Sequence, residues 1–167
     1  MFEANEVLRV LALLRQAGCE VWIAGGWGVD ALVGEVTREH RDLDLVHRVE
    51  QEPLLIGTLE AAGFGERPDA QPGRPVRFVM ADPGGHELDL HPLLFGPDGS
   101  AVQHADTRGG TFSYPADAFV TGVIGGVRVP CLSVTQQIHF HQGYDPADRD
   151  RHDMARLREA FGVTTHF

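Results

Sequence analysis

An α/β (α+β) fold, with a mixed twisted β-sheet flanked by helices and further helices at the C-terminal end, is what this sequence predicts. Three observations predict it. Apolar residues recur at helical spacing in residues 5–17 and 51–62, two acidic segments around Asp42–Val46 and His86–His91 alternate with period 2, and glycine- or proline-rich turns separate these stretches. The chain has 167 residues, close to one domain of ~150 residues. A single domain over 1–167 is therefore expected, with an α/β core to about residue 130 and a helical segment over about 131–167.

The elements follow in chain order. Val7, Val10, Leu11 and Leu14 stand at i, i+3, i+4 and i+7, which predicts an amphipathic helix ended by Gly18. Glu20 to Ala24 is β-prone and runs into a Gly25-Gly26 turn, followed by a short helix from Trp27 to Val33 that stops at Gly34. Asp42 to Val46 reads as a strand with two unlike faces. Leu54, Leu55, Thr58, Leu59 and Ala62 predict a helix closed by Gly63, and Gly65 to Arg74, with two prolines and two glycines, a loop. Val76–Ala81 and His86–Leu93 form a predicted hairpin around Asp82-Pro83-Gly84-Gly85. Turn formers fill Gly96 to Pro115, where loops with short strands are expected, and Val120 to Val129 reads as a hairpin about Gly125-Gly126. Ser133 caps a predicted helix to about Gln142, and a last helix spans Pro146 to Phe161 with Met154, Leu157 and Phe161 on its apolar side.

Composition narrows the function. Fourteen Lys+Arg against 24 Asp+Glu leave a net charge of −10, which disfavours nucleic acid and anionic membrane as partners and suits a cationic small molecule or a metal-bound nucleotide. Cys19 and Cys131 form no C-x-x-C, so neither a disulfide framework nor a zinc site is expected, and a reducing cytoplasm is the default location. No basic, apolar export signal and no membrane-spanning run is visible.

The chemistry concentrates in Arg41-Asp42-Leu43-Asp44-Leu45. Residues two apart in a strand share a face, so Asp42 and Asp44 project together while Leu43 and Leu45 point to the core. Paired carboxylates repel, and a divalent cation relieves that repulsion. An isolated D-x-D is usually a solvated edge strand, and no EF-hand spacing follows it here. A second acidic strand, His86-Glu87-Leu88-Asp89-Leu90-His91, changes the balance: three carboxylates on two neighbouring strands make a two-Mg²⁺ site for phosphoryl or nucleotidyl transfer. Asp89 is the candidate third carboxylate and general base, Glu87 the competing base, and His91 a metal ligand or a polar neighbour. Gly25-Gly26 ends 16 positions before Asp42, at a helix start where bare amides can approach a triphosphate. Arg38 and His40 are candidates to neutralise phosphate, Arg41 is equally a counter-ion of the acids, and Trp27 lines a ligand or packs the helix. His139 and His141, two apart on a helix, cannot readily share a metal, and Asp145, Asp150 and Asp153 read as a charged surface able to meet a cationic acceptor.

Taken together, Gly25-Gly26-Trp27-Gly28-Val29-Asp30 and Arg38-Glu39-His40-Arg41-Asp42-Leu43-Asp44 resemble the nucleotidyltransferase superfamily that includes DNA polymerase beta. The likeness extends through Leu88-Asp89-Leu90-His91-Pro92, Asp98-Gly99-Ser100, Gly109-Gly110, Val129-Pro130-Cys131 and His141-Gln142-Gly143-Tyr144-Asp145. It is closer to the small antibiotic O-nucleotidyltransferases acting on lincosamides, with aminoglycoside 2''-nucleotidyltransferases as relatives. The resemblance implies the nucleotidyltransferase fold and transfer of AMP from ATP, or another NTP, to an antibiotic hydroxyl, conferring resistance. It further implies Mg²⁺ on Asp42, Asp44 and Asp89, Tyr144 near substrate, and a homodimer. His91 stands where the aminoglycoside relatives are expected to carry a second acid. A macromolecular acceptor, tRNA or protein, and a catalytically silent nucleotide-binding module are the alternatives.

Overall fold

Apolar spacing at the N-terminus produces helix α1, Ala4–Gln16, whose Val7, Val10, Leu11 and Leu14 are all buried. The structure is a computed structural model that describes residues 1–167. Strand β1 (Val21–Ile23) leads into α2 (Gly25–Val33), then β2 (Asp42–Arg48), α3 (Glu52–Ala61), the short β3 (Gly65–Arg67), β4 (Phe78–Ala81) and β5 (Glu87–Phe95). Strands β6 (Ala101–His104), β7 (Thr111–Tyr114), β8 (Phe119–Ile124) and β9 (Val127–Leu132) precede α4 (Val134–Phe140) and α5 (Asp148–Phe161).

The sheet runs β3-β4-β5-β2-β1-β9-β8, with β6 and β7 continuing from the far end of β5. It is mixed: β2 pairs parallel with β5 and antiparallel with β1, while β1 pairs parallel with β9. The parallel β2–β5 pair is possible because α3 and the β3–β4 hairpin fill the crossover between them. Leu43, Leu45, Leu88 and Leu90 are each 0% exposed and join the α1 and α3 leucines in one core, each such burial contributing roughly 1.5–3 kcal/mol. A smaller cluster of Val29, Met154 and Leu157 fastens α5 to α2. This packing brings the C-terminal helix beside the start of α2.

Four expectations are corrected. The Gly25-Gly26 pair is not a turn ahead of the helix but its first turn, because Gly25 makes the bend alone at φ +58° and the helix starts at once. Residues 65–67, expected in a loop, add the edge strand β3 by pairing with 79–81. Phe161 is exposed at the end of α5 and Leu54 on the outer side of α3, since Leu55 and Leu59 already fill the core-facing positions. Ser133 does cap α4, accepting the Gln136 N–H.

Candidate active site

Register places the acids. On β2 and β5, Asp42 lies opposite Glu87, Asp44 opposite Asp89 and Val46 opposite His91. The apolar face of this pair is sealed, so the polar face carries Asp42, Asp44, Asp89 and His91, all half-buried. Oxygen and nitrogen atoms of Asp44, Asp89 and His91 lie within 4.8 Å of one another; His91 Nε2 is 3.4 Å from Asp44 Oδ1 and 3.5 Å from Asp89 Oδ1. Burial, then the like charges of Asp44 and Asp89, push the Asp42 carboxyl above its ordinary pKa, with Arg149 only partly opposing them. For His91, burial favours the neutral ring, but the Asp44 hydrogen bond and the charges of Asp89 and Asp44 outweigh it and raise the pKa.

Two supports were not anticipated from the sequence. Arg77, just before β4, donates from Nε to both Asp89 oxygens at 2.8 and 3.0 Å, and from Nη1 to the Gln71 carbonyl at 2.8 Å. It fixes the Asp89 carboxylate and the neighbouring loop together. Behind His91, the buried Tyr114 hydroxyl donates to Gln103 Oε1 at 2.5 Å, turning the Gln103 amide nitrogen toward His91 Nδ1 at 3.3 Å. The hairpin made Arg77 reachable in principle, since Val79 pairs with Asp89 across it.

Gly25 and Gly26 abut the acids. A Cβ on Gly25 would overlap the Asp44 carboxylate; one on Gly26 would overlap the Arg38 guanidinium and lie 2.6 Å from His40 Nδ1. No side chain caps the α2 N-terminus there. A cleft of about 770 Å³ opens in front, bordered by both glycines, Arg38, Asp42, Asp44 and Asp89, and on the far side by the first turns of α5. Such a cleft, with helix N–H groups, cationic side chains and the three strand carboxylates facing the acids of α5, is suited to a metal-bound polyphosphate.

The remaining predicted residues separate into those at the cleft and those behind it. Arg38 borders it but is held by Asp153 of α5, Nε–Oδ1 2.8 Å and Nη2–Oδ2 2.7 Å. His40 also borders it, yet its Nε2 is 2.5 Å from Asp30 Oδ2, where both residues are buried and Thr37 donates to the second Asp30 oxygen. Trp27 is 2% exposed, meets the His40 ring at 4.6 Å with the planes tilted by 35°, and does not line the cleft, so it packs the cradle from beneath. Glu87 faces a side pocket, with Arg41 at 3.3 Å and Arg67 at 3.9 Å. Tyr144 lies apart from the acids, against Phe167. His141, read in the sequence as an ordinary helix histidine, is 9% exposed and borders the cleft; its Nδ1 donates to the Gln137 carbonyl at 2.6 Å, which leaves Nε2 as an acceptor. Asp150 accepts the Ala147 N–H rather than standing free on the surface.

A mixed sheet with a glycine-started helix and three aspartates across two parallel strands defines a nucleotidyltransferase. The sequence profile of the aminoglycoside-2''-adenylyltransferase family matches residues 6–157, and the chain belongs to that family. It is 33% identical over 154 residues to a lincosamide resistance protein of Staphylococcus haemolyticus, covering 92% of this chain and 93% of that one. The crystal structure of the lincomycin-bound lincosamide antibiotic adenylyltransferase LnuA superimposes with a TM-score of 0.82 at 31% identity, over 93% of this chain and 96% of that one. A 2''-aminoglycoside nucleotidyltransferase of Escherichia coli is 30% identical over 125 residues, 75% of this chain and 64% of its own length. No helix is long and apolar enough to cross a membrane.

Proposed function

We propose that this enzyme transfers AMP from ATP to a hydroxyl of an antibiotic, a lincosamide ahead of an aminoglycoside, and so inactivates the drug. The observation that carries the reading is the direct Asp44–Asp89 pairing beside Gly25, with Asp42 on the same face. Hard carboxylate oxygens under mutual repulsion fit Mg²⁺, and Asp42, Asp44 and Asp89 would hold two such ions. When bound, Mg²⁺ supplies charge neutralisation on the phosphates and acidifies the attacking hydroxyl.

The chain's own residues do the rest. Gly25 and Gly26 let the α2 amides approach the triphosphate, while Arg38, anchored on Asp153, faces its charge. Asp89, oriented by Arg77, takes the proton of the acceptor hydroxyl as its oxygen bonds to the α-phosphorus; the bond to the β-phosphate oxygen breaks and pyrophosphate leaves. Glu87 does not border the polyphosphate cleft, whereas Asp89 does, which favours Asp89 as the base. His91 Nε2, with Gln103 beside Nδ1, faces Asp44 and Asp89, where it would serve as a further ligand or as a donor to Asp44.

The acidic surface disfavours tRNA as acceptor, and an intact carboxylate trio disfavours a silent binding module. A homodimer in the cytoplasm, where ATP is supplied, belongs to the same reading. Lincomycin, clindamycin, kanamycin and tobramycin, each incubated with the protein, ATP and Mg²⁺, are analysed by mass spectrometry. An AMP adduct on a lincosamide is expected; no adduct on any of the four refutes the antibiotic assignment.

A further inference from the structure

We propose that the acceptor is received in the pocket on the Asp44 side of the centre, walled by Phe112, Tyr114 and Phe140, and that this wall selects a molecule with an apolar face and few charges. The inference rests on the transfer reading above and adds to it a site and a selection rule. The pocket holds about 250 Å³ and shares Gly25, Asp44 and His141 with the polyphosphate cleft, so an acceptor seated in it lies next to the carboxylates.

Its chemistry differs from that of its neighbours. Phe112 and Phe140 meet edge to face at 5.6 Å, Tyr114 and Phe140 at 5.3 Å, and Phe112 keeps 40% of its surface exposed. β7 turns Phe112 and Tyr114 to the same side, because they are two residues apart. Aromatic faces of this kind hold alkyl groups and the C–H faces of sugars. Around them the polar groups are neutral or bear one charge: Gln103, His91 and His141, whose bare Nε2 can accept a hydroxyl or ammonium proton, and Asp44, which is already part of the centre.

A polycationic aminoglycoside needs several free carboxylates, and this pocket offers none beyond Asp44. Of the α5 acids across the cleft, Asp153 is engaged by Arg38 and Asp150 by the Ala147 N–H; Asp148 is exposed there without a partner, and it borders the polyphosphate cleft but not this pocket. On the opposite flank, Arg41 and Arg67 pair with Glu87 and Arg77 with Asp89, so those two carboxylates are already engaged. A lincosamide, an alkylproline amide of a thio-octose with one amine, matches the aromatic side.

The test compares wild type with Phe112→Ala, Phe140→Ala and Phe112→Trp in steady-state transfer to lincomycin, alongside calorimetric binding of a non-hydrolysable ATP analogue. Either alanine variant is expected to raise the lincomycin KM about tenfold, the scale of one lost aromatic contact. Affinity for the ATP analogue stays at the wild-type level in both, the exposed Phe112→Ala keeps the wild-type melting temperature while Phe140→Ala, which loses packing on Tyr114, melts lower, and Phe112→Trp restores the KM. A lincomycin KM unchanged in both alanine variants overturns the pocket while leaving the transfer reading standing. Faster wild-type transfer to tobramycin than to lincomycin overturns the selection rule. No transfer to any antibiotic overturns the reading on which both depend.

Discussion

Two sets of aspartates lie within one small region, and they are treated in opposite ways. Asp30 and Asp153 are the more deeply buried, 1% and 2% exposed, and each is fully partnered: Asp30 by His40 and Thr37, Asp153 by both nitrogens of the Arg38 fork. Asp42 and Asp44 are less buried, yet they face each other and Asp89 with only a long His91 contact on Asp44. Burying a charge is costly unless it is paired. The paired aspartates build the cradle; the unpaired ones are where, in the proposed transfer, a cation and its nucleotide would supply the missing charge.

The comparison is broken most forcefully through the unpaired set. Asp44→Asn should lower kcat at least about 10²–10³-fold, the scale for losing one contact that stabilises transition-state charge, with no loss of melting temperature. The paired set should fail the other way. Asp153→Ala leaves Arg38 without its buried partner and should cost about 3 kcal/mol of stability, near the lower end for breaking a buried pair because Arg38 is 22% exposed; chemical denaturation measures it. Next in size, Mg²⁺ with an ATP analogue should stabilise the wild type by about 2.7 kcal/mol at a hundred times the dissociation constant, and Asp44→Asn by much less. Differential scanning fluorimetry reads both.

The smallest effect concerns pH. The folded-state pKa of Asp42 is raised by burial and by Asp44 and Asp89, so its contribution to stability is fully present below the unfolded pKa of about 3.9 and is lost as pH rises through the folded value. At neutral pH without metal, Asp42→Asn should therefore melt slightly above wild type. The gap should close as pH falls through the carboxylate range, because the wild-type side chain then carries the same neutral charge.

The site was legible where it is written in strand periodicity. Asp42, Asp44 and Asp89 alternate with leucines, and a buried apolar face fixes the register, so their shared face followed from the sequence. Helix spacing and hairpin turns gave α1, α5 and the β4–β5 and β8–β9 pairs for the same reason. What escaped depends on contacts distant along the chain. Arg38 meets Asp153 across 115 positions, and no local pattern announces that pair. The sequence leaves Trp27 open between a ligand wall and helix packing, and does not show that His40 is drawn inward by Asp30, ten positions earlier on α2. Phe112, Tyr114 and Gln103 lie in a stretch dense in turn formers, where four-residue strands leave too few alternations to detect.

Central to the proposed transfer are the strand carboxylates Asp42 and Asp44, with Asp89, held by Arg77, as the base. Pyrophosphate release from ATP with lincomycin and Mg²⁺, measured side by side for wild type and Asp89→Asn with folding checked by circular dichroism, tests it most directly. The predicted result is lincomycin-dependent release by wild type and its near abolition in a folded Asp89→Asn protein. Wild-type release rates in Asp89→Asn would contradict it.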